Sequence, residues 1–576
     1  MSESHSHDLP FWRKYIFSTD HKMIGLQYGL TALCFLLFGF SLMLLMRWEL
    51  ANPETAIPFI GKFLGESFSP MTPDAYNELG AMHGTIMVFL AIVPLVVGAF
   101  GNYVVPLQIG APDMAFPKLN MASYWAYFVG GVVMFASFFI PDGAAKSGWT
   151  SYAPLSVLSI GQGQTFWLLG MVFLITSSLL GSINIITTIF QLRAKGLTFM
   201  RLPFFVWAQL VTNFLLLLAF PPLEAAGILQ LMDRLAHTSF FMPSGLVISG
   251  QPLEGYSGGG SVLLWQHLFW FLAHPEVYVL ILPAIGIIAE ILANNIRKPL
   301  WGYYSMVWAS IALGFLSFVV WAHHMYLTGM GTAISSFFQA TTMIISIPSV
   351  IILTCLFISL WGGSIRINTP MLFALAFLPM FGIGGLTGLP LGLSSPDIHL
   401  HDTYYVIAHF HYIVAPGTIF AIFAGIYFWF PKVTGRRMNE LLGHLHFWPS
   451  LFLMNCIFIP MFTQGMMGMS RRLYDGGMQY AHVQGVLNLH GMILYSAIGL
   501  AIFQLPFIIN LLWSIFKGPK VTSDNPWDAT TLEWSTPTPP PHGNFSHEPI
   551  VYRGPYEYSV PGASKDFVPQ DQEVVK

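Results

Sequence analysis

The sequence is poor in charge. Only 9% of its 576 residues are Asp, Glu, Lys or Arg, while 54% are hydrophobic. An average soluble domain carries about 25% charged residues, so this composition excludes an ordinary water-soluble enzyme and points to a lipid bilayer as the partner. Lys and Arg number 24 against 27 Asp and Glu. No strongly basic face is available, which excludes nucleic acid as a partner. Cysteine is scarce as well. Cys34, Cys355 and Cys456 lie far apart in apolar stretches, without CxxC or CxxCH spacing. That argues against a disulfide framework, a covalently attached c-type haem and a thiolate copper centre. Soft-metal chemistry is left to histidine.

What the chain has instead is long apolar runs. Runs of ~20 or more residues recur from end to end, at roughly 25–46, 80–105, 120–140, 164–191, 203–231, 262–293, 302–321, 334–361, 370–391, 404–431, 445–465 and 484–516. The alternation of a β-barrel is absent. The fold class read from this is all-α: a polytopic membrane protein with about twelve transmembrane helices in one bundle, 25–516. A polar segment, 1–24, precedes it, and a Pro-rich tail with little core of its own, 517–576, follows. No short apolar run with a cleavage site follows the polar N-terminus, so the first run is expected to be a retained span.

Basic residues in the short loops set the orientation. Arg13, Lys14 and Lys22, then Arg193, Lys195 and Arg201, then Arg297 and Lys298, then Lys432, Arg436 and Arg437, then Lys517 and Lys520 all fall on one side of an even-numbered topology. Both termini are expected in the cytoplasm. Arg471 and Arg472 fall on the opposite side with His401 and Asp402, and this minority of positive charge wants an explanation. The Gly- and Ser-rich external loop at roughly 232–261 points to no function.

Ionisable groups inside spans are costly and functional by default. His83, His274, Glu276, His323, His324, His409 and His411 stand in such positions. One histidine alone is readily a hydrogen-bonded core residue; six on four spans make separate structural roles a poor account. Residues two apart on an α-helix point about 200° apart, so His409 and His411 could each hold a separate haem. His83 can supply the second ligand of a bis-histidine haem, and a haem with one protein ligand keeps an open position for a small molecule. His274, His323 and His324 remain, a set that suits copper. Tyr278 lies one turn from His274 on the same face, where a phenol can give up a proton and an electron. An ordinary core tyrosine reads equally well at that position.

The blocks "WQHLFWFLAHPEVYVLILP", "WAHHMY" and "HDTYYVIAHFHYIVAPG" resemble subunit I of the haem–copper oxygen reductases, of the type with a glutamate inside HPEVY. "FGNYVVPLQIGAPDMAFPKLN" and "NPWDATTLEWSTPTPPPHGNF" agree, and the resemblance covers nearly the whole chain. It implies a terminal oxidase in a bacterial inner membrane that reduces O2 to water and translocates protons. It implies two haems, one copper and a magnesium ion. His83 and His411 would ligate the low-spin haem, His409 the high-spin haem, and His274, His323 and His324 the copper, with Tyr278 covalently linked to His274. Arg47 resembles the partner of a haem formyl group, which favours haem A. Arg471, Arg472 and Trp149 resemble partners of haem propionates, and this would account for the external arginine pair. His401 and Asp402, with Asp397 nearby, resemble magnesium ligands shared with a subunit II. A subunit III and cytochrome c as electron donor are expected too; a quinol oxidase and a nitric oxide reductase of the same superfamily are the alternatives. A transporter, the reading from another class, is disfavoured by the histidine set and by the lack of an evident repeat.

The resemblance also implies a proton path from Asp113 past Asn102 and Asn120 to Glu276. There are departures from the family pattern. Where the family carries a channel lysine in the eighth span, this chain has Ile352, and Ser349 holds the place of a threonine. Ala289 replaces a serine late in the sixth span, Met121 an asparagine after Asn120, and Ser470 a proline before the arginine pair. Hydroxyls such as Ser349 remain as candidates for a second path.

Overall fold

The computed structural model describes residues 10–58, 61–256 and 258–573. Its frame is twelve helices long and apolar enough to cross a membrane: α1 (His21–Ala51), α2 (Pro73–Ile109), α3 (Pro117–Phe139), α4 (Gly163–Gln191), α5 (Phe204–Leu235), α6 (Val262–Ile296), α7 (Tyr303–Thr328), α8 (Gly331–Leu360), α9 (Thr369–Leu391), α10 (Tyr404–Thr434), α11 (Glu440–Met466) and α12 (Leu489–Lys517). The expected all-α bundle is found. A two-residue hairpin, Val247–Ile248 against Gln251–Pro252, is the one named sheet among the described residues.

Several helices run past their apolar runs, because polar residues at the ends supply caps. Thr72 accepts the amide of Ala75 at 3.3 Å and Pro73 takes the first turn, so α2 starts ahead of residue 80. Asn439 accepts the amide of Leu442 at 3.0 Å and starts α11 ahead of residue 445. α12 starts later than its apolar run, after a 3-10 turn over Ala481–Val486.

Three helices are irregular. α2 widens into π-helix over Ile86–Ile92 and Pro94–Ala99, just past His83. α10 does so over Val414–Ile419, just past His411. A proline in each stretch, Pro94 and Pro416, cannot donate to the helical ladder, and π-turns of this kind gather at functional sites. The regular part of α7 ends at Ser317, and Trp321–Thr328 forms a 3-10 turn with non-helical backbone at Met325. His323 and His324 thus stand on that turn, just past the run 302–321, and not on a continuous α-helix.

α6 is the hub. It touches α2, α5, α7, α8, α9 and α10 and is almost wholly buried, while α8 turns much of its length outward. Residues 518–573 pack against the end of the bundle where α1 begins. Lys432 donates to the carbonyls of Asp524 (2.9 Å) and Thr536 (2.7 Å) and to Thr538 (2.7 Å). Arg297 holds Asp566 at 2.8 and 2.9 Å and reaches the carbonyls of Trp527 and Asp528. Leu532, Trp534, Tyr556 and Tyr558 are buried there. The segment has little core of its own but shares that of the helix ends, whose unpaired carbonyls and side chains need partners.

Candidate metal centre

α6 and the 3-10 turn of α7 bring three imidazoles together. His323 Nε2 lies 3.1 Å from His324 Nε2, and His274 Nδ1 lies 3.3 Å from the same atom. One ligand nitrogen from each lies within 4.8 Å of the others, and among the described residues this is the one group of three or more His, Cys, Asp or Glu that meets that geometry. Three ring nitrogens converging in this way can take a cation between them. Thr342 of α8 touches His323 Nδ1 at 2.9 Å and fixes that ring. His274 Nε2 is buried without a partner, and the ring of Tyr278 stands 5.0 Å away, as the one-turn spacing predicts.

His83, His409 and His411 share one feature. Each turns Nδ1 to a backbone carbonyl: Gly39 at 2.7 Å, Gly384 at 2.9 Å and Ile407 at 2.8 Å. With a proton on Nδ1, Nε2 carries the lone pair, the arrangement of a metal-ligating imidazole held by an outer hydrogen bond. His409 and His411 do face different neighbours. His409 lies against α9, where a Cβ on Gly388 would stand 2.7 Å from its ring, so only glycine leaves room for it. His411 stacks on Phe458 of α11 at 4.9 Å and has His83 and Arg47 as electrostatic neighbours. Arg47 lies over Tyr404 at 5.5 Å and leaves Nη1 buried without a partner.

The far end of the bundle carries the expected polar set in a looser form. His401 Nδ1 is 3.1 Å from Asp397 and its Nε2 is 3.9 Å from Asp402. Asp402 accepts from Arg471 at 2.5 and 2.8 Å. Burial opposes ionisation of Asp402, yet Arg471 and His401 hold its carboxyl below the usual carboxylate range. Ser470 pairs with Thr403 in a short bridge that ties the arginine pair to the start of α10. Burial and the neighbouring Arg471 push the Arg472 guanidinium down to about 10, so this end would gain from an anionic partner. Trp149 packs edge-on against Phe269 at 5.3 Å.

Towards the other end, a cavity of about 40 Å³ is lined in part by Asn102, Tyr28, Ser123, Ser177 and Ser178. Asn120 is fully buried, with neither side-chain atom partnered, and Ser123 donates to its carbonyl at 2.7 Å. Both carboxylate oxygens of Glu276 are buried and unpartnered. Asp113 follows the end of α2; burial raises its pKa above the ordinary value, against His21 and the amide of Met114. Ser349 is half-buried on α8 beside the fully buried Ile352 and does not line this cavity; Ala289 is fully buried as well.

Some neighbours escaped the sequence reading. Trp270 lies flat on His324, 3.8 Å away and 9° from parallel, and donates to Tyr152. Its signal was present, since it stands one turn before His274 on the same face. Thr387, 3.3 Å from His409 Nδ1, and Tyr28 and Ser177, which line the cavity, carry no such signal; ordinary hydroxyls in spans become informative only when folding brings them to a ring or a cavity.

The family model described as "Cytochrome C and Quinol oxidase polypeptide I" matches residues 23–502. The chain is 44% identical to the alternative cytochrome c oxidase subunit 1 of Bradyrhizobium diazoefficiens, over 98% of this chain and 94% of that one. It is 44% identical to cytochrome c oxidase subunit 1 of Synechocystis sp., over 98% and 96%, and 40% identical to that of Bacillus subtilis, over 93% and 81%. A cryo-EM structure of a heme-copper terminal oxidase dimer shares the fold, with TM-score 0.67 and 20% identity over 87% of this chain and 85% of that one.

Proposed function

The chain belongs to the cytochrome c and quinol oxidase polypeptide I family, and from that premise we propose that it is the catalytic subunit of a terminal respiratory oxidase, a multi-pass membrane protein that reduces dioxygen to water with electrons from cytochrome c. The observation that carries this reading is the meeting of His274 Nδ1, His323 Nε2 and His324 Nε2 beside Tyr278. Bound copper and haem supply the redox chemistry that side chains lack. The protein supplies the ligands and the protons. His274, His323 and His324 would hold the copper; His83 and His411 would hold the low-spin haem iron, and His409 the high-spin one. The donor sets fit: the three Nε2 atoms are free for metal, and three ring nitrogens converge where a cation can sit.

Tyr278 offers a proton and an electron at the centre. A bond from a Tyr278 ring carbon to the unpartnered Nε2 of His274 would replace one C–H and one N–H bond, with dioxygen as the two-electron oxidant leaving as hydrogen peroxide. The unpartnered Nη1 of Arg47 fits the formyl oxygen of a haem A. Arg471, Arg472 and Trp149 fit haem propionates, and the lowered pKa of Arg472 fits that need. His401 and Asp402 fit a magnesium ion. Glu276 is the upper end of a proton path that starts at Asp113 and follows Asn102, Asn120 and the cavity beyond. Ser349 is the hydroxyl left on α8, where Ile352 offers none.

Subunit II brings electrons in from the far end, and subunit III completes the assembly. The end where α1 begins, with residues 10–24, residues 517–573 and the basic loops, faces the cytoplasm of a bacterial cell, and 25–516 forms the membrane domain; 1–9 of the segment 1–24 and 574–576 of the tail 517–576 lie outside the described residues. The test is an oxygen pulse given to anaerobic proteoliposomes that hold the complex, a reductant and a pH electrode. Oxygen uptake with acidification outside is expected. No uptake with haems and copper intact would contradict the reading.

A further inference from the structure

At the termini-bearing end of α6 lies a second buried carboxyl that the proposed path does not use. Glu290 stands two heptads beyond Glu276, about 21 Å along the helix. It is 4% exposed, and its Oε1 accepts from the Tyr556 hydroxyl at 2.5 Å and the Phe205 amide at 3.1 Å. Glu533, within electrostatic reach, is 1% exposed. One of its oxygens accepts from Gln108 at 3.0 Å; the other is buried without a partner, as is Gln108 Oε1. Two buried carboxyls within electrostatic reach of each other are costly to ionise together. Burial raises the pKa of Glu533, against Gln108 and Thr531.

A polar ladder climbs from this pair along α5. Gln209 is one turn above Phe205. Its side chain reaches the carbonyl of Val96 at 2.7 Å, and a Cβ on Gly101, next to Asn102, would stand 3.2 Å from its Oε1. Asn213 donates to the Gln209 carbonyl at 2.7 Å; Asn213 Oδ1 and Thr212 Oγ1 are buried and unpartnered. Leu216, on the Asn213 face, already lines the cavity with Asn102, Tyr28 and Ser123. Buried polar atoms without protein partners mark a course for water. Ile352 and Ala289, both fully buried, carry no proton-transferring group on α8 or beside Glu290.

We propose that Glu290 and Glu533 form a second proton-uptake site, which takes protons from the termini-bearing side and passes them by way of Gln209 and Asn213 to the cavity that the Asp113 path also enters. The inference rests on the oxidase reading, which defines the demand for protons. Each transfer moves one proton from a carboxyl to cavity water and restores it from the aqueous side, with no redox change.

Capping of the α5 N-terminus is the structural alternative for Glu290, and Glu290→Gln separates the two: the amide oxygen still accepts from Phe205 and Tyr556, but the exchangeable proton is gone. The experiment is proton uptake by the fully reduced complex after an oxygen flash, read with a pH dye in wild type, Asp113→Asn, and Asp113→Asn with Glu290→Gln. Asp113→Asn is expected to keep a slower uptake phase. Adding Glu290→Gln is expected to slow it further by about 100-fold, the lower range for loss of a positioned proton-transfer group, with haem spectra unchanged. Asn213→Leu in the Asp113→Asn background is expected to act in the same way and serves if Glu290→Gln does not assemble. An Asp113→Asn enzyme with no residual uptake, or residual uptake that survives both variants, overturns the second site and leaves the oxidase reading standing. Failure of wild type to consume oxygen overturns the oxidase reading itself.

Discussion

The two ends of the bundle treat buried cationic and imidazole groups differently. At the termini-bearing end, buried cations are met by the protein. Lys432 has three oxygen acceptors, and Arg297 has Asp566 and a set of carbonyls. In the far half, Arg47 Nη1 and His274 Nε2 are unpartnered, three imidazole nitrogens crowd together, and three further imidazoles hold their Nε2 atoms free. Leaving such groups unmet costs about 1–3 kcal/mol each. The contrast teaches where non-protein partners belong. A chain that can satisfy Lys432 with three acceptors leaves these imidazoles open where the proposed copper and haem irons would sit.

The contrast breaks most severely at the copper ligands. His323→Ala is expected to remove the copper and lower turnover by more than the roughly 10–100-fold that loss of an outer-shell partner costs, while the optical band of the bis-histidine haem persists. Metal analysis and absorption spectra check this; loss of both haems would contradict the ligand assignment. At the termini-bearing end, Lys432→Met leaves the Asp524 and Thr536 carbonyls and the Thr538 hydroxyl short of a donor. A loss of about 3 kcal/mol or more is expected, read as a lower Tm, with copper and haem content unchanged. Equal loss of metal in this variant would erase the distinction between the two ends.

Smaller effects sharpen the picture. Thr342→Val removes the hydrogen bond to His323 Nδ1 and is expected to weaken copper binding by about 10-fold, measured by competition with a chelator. The smallest effect concerns Asp566. Its hydrogen bond to Arg297 holds its carboxyl below the ordinary 3.8, against a small opposing effect of burial. A depressed carboxyl adds stability that is full above 3.8 and is lost as pH falls through the lower folded value. Asp566 is 45% exposed, so the pair contributes no more than about 1 kcal/mol. Asp566→Asn at neutral pH is expected to speed hydrogen exchange in the tail near Phe567 and to leave turnover unchanged. Accelerated exchange in α6 instead would show that the pair supports the bundle.

Much of this was legible in the residues because the membrane leaves few options. Long apolar runs must be helices, and a charged or imidazole group inside them needs a reason. The four-residue step from His274 to Tyr278 foretold their contact, and the two-residue step from His409 to His411 foretold their separate neighbours. Other features depend on tertiary contacts that spacing does not encode. His323 and His324 reach His274 because α7 tightens into a 3-10 turn, a change that an apolar run does not signal. The tail reads as polar and Pro-rich, yet Trp534 and Tyr556 are buried against helix ends remote in sequence. Glu290 gains Tyr556 as a partner only when the tail packs against α6.

The most direct test of the central claim is a crystallographic one: anomalous difference maps of the purified complex, recorded at the copper and iron edges. The account predicts a copper peak bonded to His274 Nδ1, His323 Nε2 and His324 Nε2, one iron peak between His83 and His411, and a second iron peak at His409. No peak, or an iron peak, among the three histidines would contradict it.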